Sequence, residues 1–174
     1  MRADQSPIIR LKNYRAPDWR IESVHLDIML DDRRSRVVAR SIFVPLTNDV
    51  KPLVLDGDEL LMESIALDDA ILSAKDYQIE KDALKIHNPP SRTFTLTIPT
   101  RLDPAANTKL MGLYRSSGIY CTQCEAEGFR RITYFLDRPD IMSVYTTRIV
   151  AKKSEAPILL GNGNPVEQIG RAHV

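Results

Sequence analysis

A two-residue rhythm runs along most of this chain and limits what it can fold into. In WRIESVHLDIML, Trp19 and Ile21, then Val24, Leu26, Ile28 and Leu30, fall on one side of an extended backbone, with a slip of phase near Ser23. Successive side chains of a strand point to opposite sides, so strict alternation from Val24 to Leu30 predicts a half-buried strand. DDRRS follows as a turn, and RVVARSIFVPL reads as a second strand ending at Pro45. The basic cluster Arg33, Arg34 and Arg36 beside Asp31 and Asp32 reads as part of a solvated turn.

Shorter runs follow at PLVLDG (52–57), LMESIALDD (61–69), YQIEKD (77–82), ALKIHN (83–88) and RTFTLTIPTRL (92–102). Asp, Asn, Gly or Pro closes each of them, as turns require. SVYTTRIVA is rich in β-branched residues, and APILLGNGN reads as one more short strand with a Gly/Asn turn. No window carries a sustained helical stripe, and 11 prolines oppose long helices. The expectation is an all-β domain of mostly antiparallel sheets with little helix. Two segments lack the rhythm, 103–118 and 124–140, and read as long loops of the kind that carry function.

With 174 residues, 43% of them hydrophobic, the chain can bury a core and is expected to form one domain. Its 24 basic and 23 acidic residues leave a net charge of +1, without the clustered basic face that nucleic-acid binding needs. No apolar run approaches the roughly 20 residues that span a bilayer, and the first residues lack the apolar stretch of a secretory signal. Neither nucleic acid nor membrane is expected as a partner. Two cysteines three positions apart make no disulfide framework, which suits a reducing, cytoplasmic setting.

Those cysteines, Cys121 and Cys124, stand in C-x-x-C spacing. A structural zinc site needs four ligands, and His25, His87 and His173 supply none in ligand spacing. A redox pair wants a strand-to-helix setting, whereas the surroundings read as strand and loop. Packing of two small residues is the plainer reading. H-E-x-x-H and G-x-S-x-G are absent, Glu22 and His25 fall on a strand, and GNGN (161–164) reads as a turn rather than a phosphate cradle. Gln123, Glu125 and Glu127 remain. On an extended chain these alternate residues point the same way, and an amide with two carboxylates can receive an ammonium group. A solvated polar loop fits the same three residues.

CTQCEAEGFRRITYFLDRPD resembles the N-terminal-domain signature of the zinc-dependent aminopeptidases of the aminopeptidase N family, in its bacterial branch. The resemblance extends through YRAPDWRI (14–21), LVLDGDELLMESI (53–65), LDPAANTKLMGLYRSSG (102–118) and ILLGNGNPV (158–166), in order, over nearly the whole chain. It implies a sandwich-like, saddle-shaped β domain packed on a separate catalytic domain that binds Zn2+. It further implies that Gln123 and Glu125 grip the free α-amino group of a peptide substrate, with Glu127 in a supporting role. The partners implied are peptides with a free amino terminus and the chain's own catalytic domain.

The family's zinc ligands, exopeptidase motif and catalytic tyrosine have no counterpart in these residues, so no catalytic residue and no metal ligand is expected here. The fragment by itself is expected to bind no zinc and to be inactive. Residues 1–168 are expected to form the β domain, incomplete at its end. IGRAHV (169–174) looks like the translation of a sequencing adapter, and is expected to be a non-native tail. An alternative is a stand-alone β-rich binding module without peptidase activity.

Overall fold

The alternating runs become strands whose buried faces meet in one core. In the computed structural model, which describes residues 10–48 and 51–167, β1 (Trp19–Met29) and β2 (Ser35–Pro45) form an antiparallel pair. Their register shifts between Ile21 and Ser23. This bulge returns Val24 and Leu26 to the face already occupied by Trp19 and Ile21, so the slip of phase is a structural feature. The turn between the strands is exposed and self-bonded, the Asp31 carboxylate accepting the Arg33 and Arg34 amides at 3.1 and 2.9 Å.

Next come β3 (Leu53–Asp56), β4 (Leu61–Met62), β5 (Ala66–Leu67), β6 (Ala70–Ile71), β7 (Tyr77–Ile79), β8 (Ala83–Ile86) and β9 (Phe94–Leu102). The last three are β10 (Gly112–Ser116), β11 (Ile119–Gln123) and β12 (Val144–Val150). A seven-stranded sheet runs β12-β1-β2-β9-β5-β6, with β4 also on β9; β3-β8-β7 form a second sheet and β10-β11 a hairpin. Leu53, Leu55, Leu84 and Ile86 of the second sheet share one buried cluster with Trp19, Val37, Phe43 and Leu96 of the first. The fold is essentially all-β, with no helix longer than a three-residue 3-10 turn among the described residues. None is long and apolar enough to cross a membrane.

β9 holds a proline, Pro99, inside a central strand, where a missing N–H normally breaks the ladder. The break is accommodated on the outer side: β4 pairs at Thr100 and Arg101, β5 pairs at Leu96 and Thr97, and residues 63–65 bow out between them. The Pro99 carbonyl still accepts the Glu63 amide at 2.9 Å.

The sheets are mostly antiparallel, as expected, and β12 runs parallel to β1, so the large sheet is mixed; alternation reports a buried face and carries no information on strand direction. Two expectations are corrected. Segment 103–118 is no continuous loop, because β10 begins within it and reverses into β11 through Ser117 and Gly118. Both have positive φ (49° and 83°), as a two-residue hairpin turn requires. Ile158–Leu160 forms no strand; the run is apolar but Ile158 and Leu160 lie exposed, without a ladder partner. The expected tail at 169–174 lies outside the described residues, as does the last residue of the expected domain 1–168.

Phe94 stacks on Phe43 at 5.5 Å and meets Trp19 edge-on at 5.5 Å, tying β1, β2 and β9 at one end of the core. Phe94→Ala should lower the unfolding free energy by about 3–5 kcal/mol. Truncating exposed Ile71 should cost less than about 0.5 kcal/mol. Urea midpoints of the two variants check this, and equal shifts would contradict the placement of the core.

Candidate functional site

The β10–β11 hairpin carries the candidate residues and is pinned at both ends. Near its turn, Arg115 pairs with Asp32, lies over the Tyr120 ring at 4.5 Å and donates to the Gly118 carbonyl at 2.6 Å. The Tyr120 hydroxyl donates to Asp32 at 2.7 Å. At its open end, the Asn107 side-chain amide donates to the Met111 and Leu113 carbonyls at 2.7 and 2.9 Å. Arg131 Nε donates to the same Met111 carbonyl at 3.1 Å. Gly112 sits here at φ 71°, with its α-carbon against Arg131 so closely that a side chain would collide with Arg131 Cβ.

Gln123 is the last residue of β11, opposite Gly112. The chain then turns through 124–128, closed by the Gly128 N–H donating to the Cys124 carbonyl at 2.8 Å, and enters the 3-10 turn Phe129–Arg131. The Glu125–Ala126 peptide is cis. Gly128 is required: a methyl there would lie 2.8 Å from Met111 Cε and 2.9 Å from Cys124 Cα.

This turn ends the alternation that would align residues 123, 125 and 127, so the expected common side is not formed. Gln123 and Glu125 stay together, the Gln123 amide donating to the Glu125 carbonyl at 3.4 Å. Glu127 is drawn away, its carboxylate held by Arg130 Nη2 at 3.1 Å. All three are exposed. Among the described residues, the Glu125 carboxylate has no cationic or hydrogen-bonding partner.

Every other acid nearby is committed. Buried Asp137 accepts Arg130 Nε at 2.8 Å and the Arg130 amide at 3.1 Å. Asp56 accepts the Asp137 amide at 3.1 Å. Asp58 pairs with Arg131 and with Lys109, the latter at 3.2 Å, and Glu59 pairs with Lys109 at 2.8 Å and Arg131 at 2.5 Å. Lys109, and then Arg131, hold the Glu59 carboxyl below its ordinary range. In the sequence, only RR after an acidic loop signals this arginine-centred network.

The cysteines are both free. Cys124 is half-buried against the core, and burial, then the charge of Asp137, push its thiol from 9.0 to about 11. A dithiol with one member held protonated is a poor exchange pair, which argues against redox chemistry. Among the described residues no three His, Cys, Asp or Glu converge to hold a metal ion, so the residues present do not fit a zinc site.

Alkylation at pH 8 should therefore modify Cys121 in the native protein and Cys124 only after denaturation, as mapped by mass spectrometry. Cys124 also carries a pH effect of known sign. Its native thiol ionises less readily than its unfolded thiol, so stability is unaffected below about pH 9 and falls as pH rises towards 11. Cys124→Ser should flatten that part of the pH–stability curve.

The chain is similar to known proteins. Residues 13–171 match the family model described as the Peptidase M1 N-terminal domain. Aminopeptidase N of Escherichia coli (strain K12) is 47% identical over 156 residues, 90% of this chain and 18% of that protein. Aminopeptidase N of Caulobacter vibrioides is 45% identical over 166 residues, 95% of this chain and 19% of that protein. Among solved structures, Legionella pneumophila aminopeptidase A in complex with aspartic acid superposes with a TM-score of 0.86 at 34% identity, over 91% of this chain and 19% of that one. An M1 zinc metallopeptidase from Deinococcus radiodurans shares the fold at 13% identity, with a TM-score of 0.66 over 78% of this chain and 33% of that one. The chain thus spans under a fifth of the length of these aminopeptidase N relatives. It belongs to the M1 peptidase family, as its N-terminal domain.

Proposed function

We propose that this domain is the wall of an aminopeptidase active site that recognises the free α-amino group of a peptide. One observation carries the reading: Glu125 is exposed and unpaired beside Gln123, while Glu127, Asp137, Asp58 and Glu59 are each tied to Arg or Lys. A turn with one uncommitted carboxylate and one amide, on a rigidly anchored hairpin, suits a single ammonium guest.

The chemistry required of these residues is binding and exclusion. An α-ammonium distinguishes a chain end from an internal peptide bond. A charge-assisted hydrogen bond from it to Glu125 contributes about 1.5–3 kcal/mol once solvent is excluded. The Gln123 carboxamide oxygen supplies a second, directed acceptor, since its nitrogen already donates to the Glu125 carbonyl. An internal residue in the same place would leave the carboxylate desolvated and unpaired, which penalises the wrong substrate. Fixing the amine also fixes where the first peptide carbonyl lies.

The names of the relatives support peptides with free amino termini as substrates, releasing one amino-terminal residue at a time. Zinc chemistry, water activation above all, is assigned to a catalytic domain outside these 174 residues, onto which this domain packs. The chain alone is inactive on this reading, because the zinc chemistry belongs to that catalytic domain. Its two free thiols suit a cytoplasmic setting.

In a complete enzyme carrying this domain, Glu125→Gln should lower kcat/KM for an amino-acyl anilide by about 10- to 150-fold. The zinc content by elemental analysis should not change. Unchanged kinetics, or loss of the metal, would remove Glu125 from this role.

A further inference from the structure

Asp137 is a carboxylate at 5% exposure, and the proposed recognition of an amine does not use it directly. A buried acid is tolerated only where its lone pairs are met. Its Oδ2 accepts two donors from one residue, the Arg130 N–H at 3.1 Å and Arg130 Nε at 2.8 Å. Arg130 Nη2 returns to the Asp137 carbonyl at 3.0 Å. Backbone and side chain of Arg130 are thus gripped together. The Asp137 amide in turn donates to Asp56 Oδ2 at 3.1 Å, and Asp56 and Phe135 exchange both backbone bonds, at 2.7 and 3.0 Å. The grip is thereby fastened to the end of β3, whose Leu53 and Leu55 are fully buried.

The turn that carries Glu125 has few fixings of its own. Gln123 is held by its ladder with Gly112, and the Gly128 N–H closes on the Cys124 carbonyl at 2.8 Å. Among the described residues, the Glu125 backbone is met only by the Gln123 amide, at a long 3.4 Å. The place of Glu125 is therefore set from the far end of the turn. There Arg130 Nη2 holds the Glu127 carboxylate at 3.1 Å, two residues from Glu125, and the Arg131 N–H donates to the Gly128 carbonyl at 3.1 Å. The nitrogen that holds Glu127 also holds the Asp137 carbonyl, so turn and buried acid share one rigid guanidinium plane.

Taking Glu125 as the ammonium acceptor proposed above, we infer that Asp137 is a positioning residue for it, acting through Arg130 to fix the turn on which Gln123 and Glu125 present their oxygens. Neither Asp137 nor Arg130 touches the guest. They set the separation and direction of the two acceptors, and a displacement of about 1 Å in such a site can cost about 100-fold in rate. Lysine cannot replace Arg130 in this role. Its ammonium can neutralise Asp137, but it lacks the planar fork that meets Asp137 and Glu127 at once.

A complete enzyme carrying this domain tests this with two competitive inhibitors, alanine hydroxamate and propionohydroxamate. Both present the same hydroxamate to the catalytic domain and differ only by the α-amino group. Arg130→Lys keeps every charge, so it should fold, and it should weaken alanine hydroxamate by about 10-fold while leaving propionohydroxamate within about 2-fold. Asp137→Asn, which loosens the same grip from the buried side, should do the same; melting curves report whether each variant is folded. In a Glu125→Gln background, Arg130→Lys should add less than about 2-fold, because both changes act on one contact. Equal weakening of both inhibitors, no weakening of either, or losses that multiply in the double variant would each overturn the role of Asp137 and Arg130 and leave that of Glu125 standing. A Glu125→Gln variant that binds both inhibitors as the wild type does would remove the amine-binding role of Glu125, and this one with it.

Discussion

The candidate site depends on two consecutive arginines whose side chains leave the 3-10 turn in different directions. Arg131 is almost buried, and a buried guanidinium is tolerated only when its donors are met. Asp58, Glu59 and the Met111 carbonyl meet them, linking the end of β3 to the base of the β10–β11 hairpin. Arg130 turns back on its own segment and takes Asp137 and Glu127. Removing the Arg130 guanidinium would strand the buried Asp137 carboxylate, which costs about 3–5 kcal/mol. A turn with little apolar surface of its own is thus held from two sides by charge-assisted bonds, while Phe129, Phe135 and Tyr145 pack beneath it at 4.8–6.5 Å between ring centres.

This division explains why neighbouring carboxylates of one short motif do different work. Glu127 is three residues before Arg130 and within reach of its guanidinium, so it is consumed in fixing the turn. Glu125 is exposed on the same turn, and among the described residues no cation reaches it. The network fills the local demand for acids and leaves one over. That remainder gives the surface its capacity to take a cation from outside.

Where a strand buries one face, the sequence makes it legible. Ser35–Pro45 and Phe94–Leu102 alternate cleanly, and Trp19–Met29 does so on either side of its bulge, because every second residue enters the core. β11 buries neither face and β10 begins with two buried residues in succession, so neither shows a period; the Ser117-Gly118 turn was the only trace of that hairpin. Strand direction leaves no mark in the alternation, which is why the parallel pairing of β12 emerges only in three dimensions. At the site, residue types were legible through the family resemblance, and their geometry was not. Gly128, required by the close approach of Met111 and Cys124, is what marks the segment as a turn instead of an extended strand.

Exposure of Glu125 sets a condition on what it can do. An ammonium and a carboxylate meeting in water gain at most about 1 kcal/mol, and salt screens even that. The same pair under a lid of protein, at a lower effective dielectric, gains several-fold more and becomes selective, because an uncharged guest then leaves the carboxylate unsolvated. Glu125 has the rigidity for recognition, supplied by Arg130, Arg131 and the hairpin, but lacks the cover. On the proposed function the free carboxylate is a half-site: preorganised by this domain, and given strength and specificity only by a second surface that closes over it.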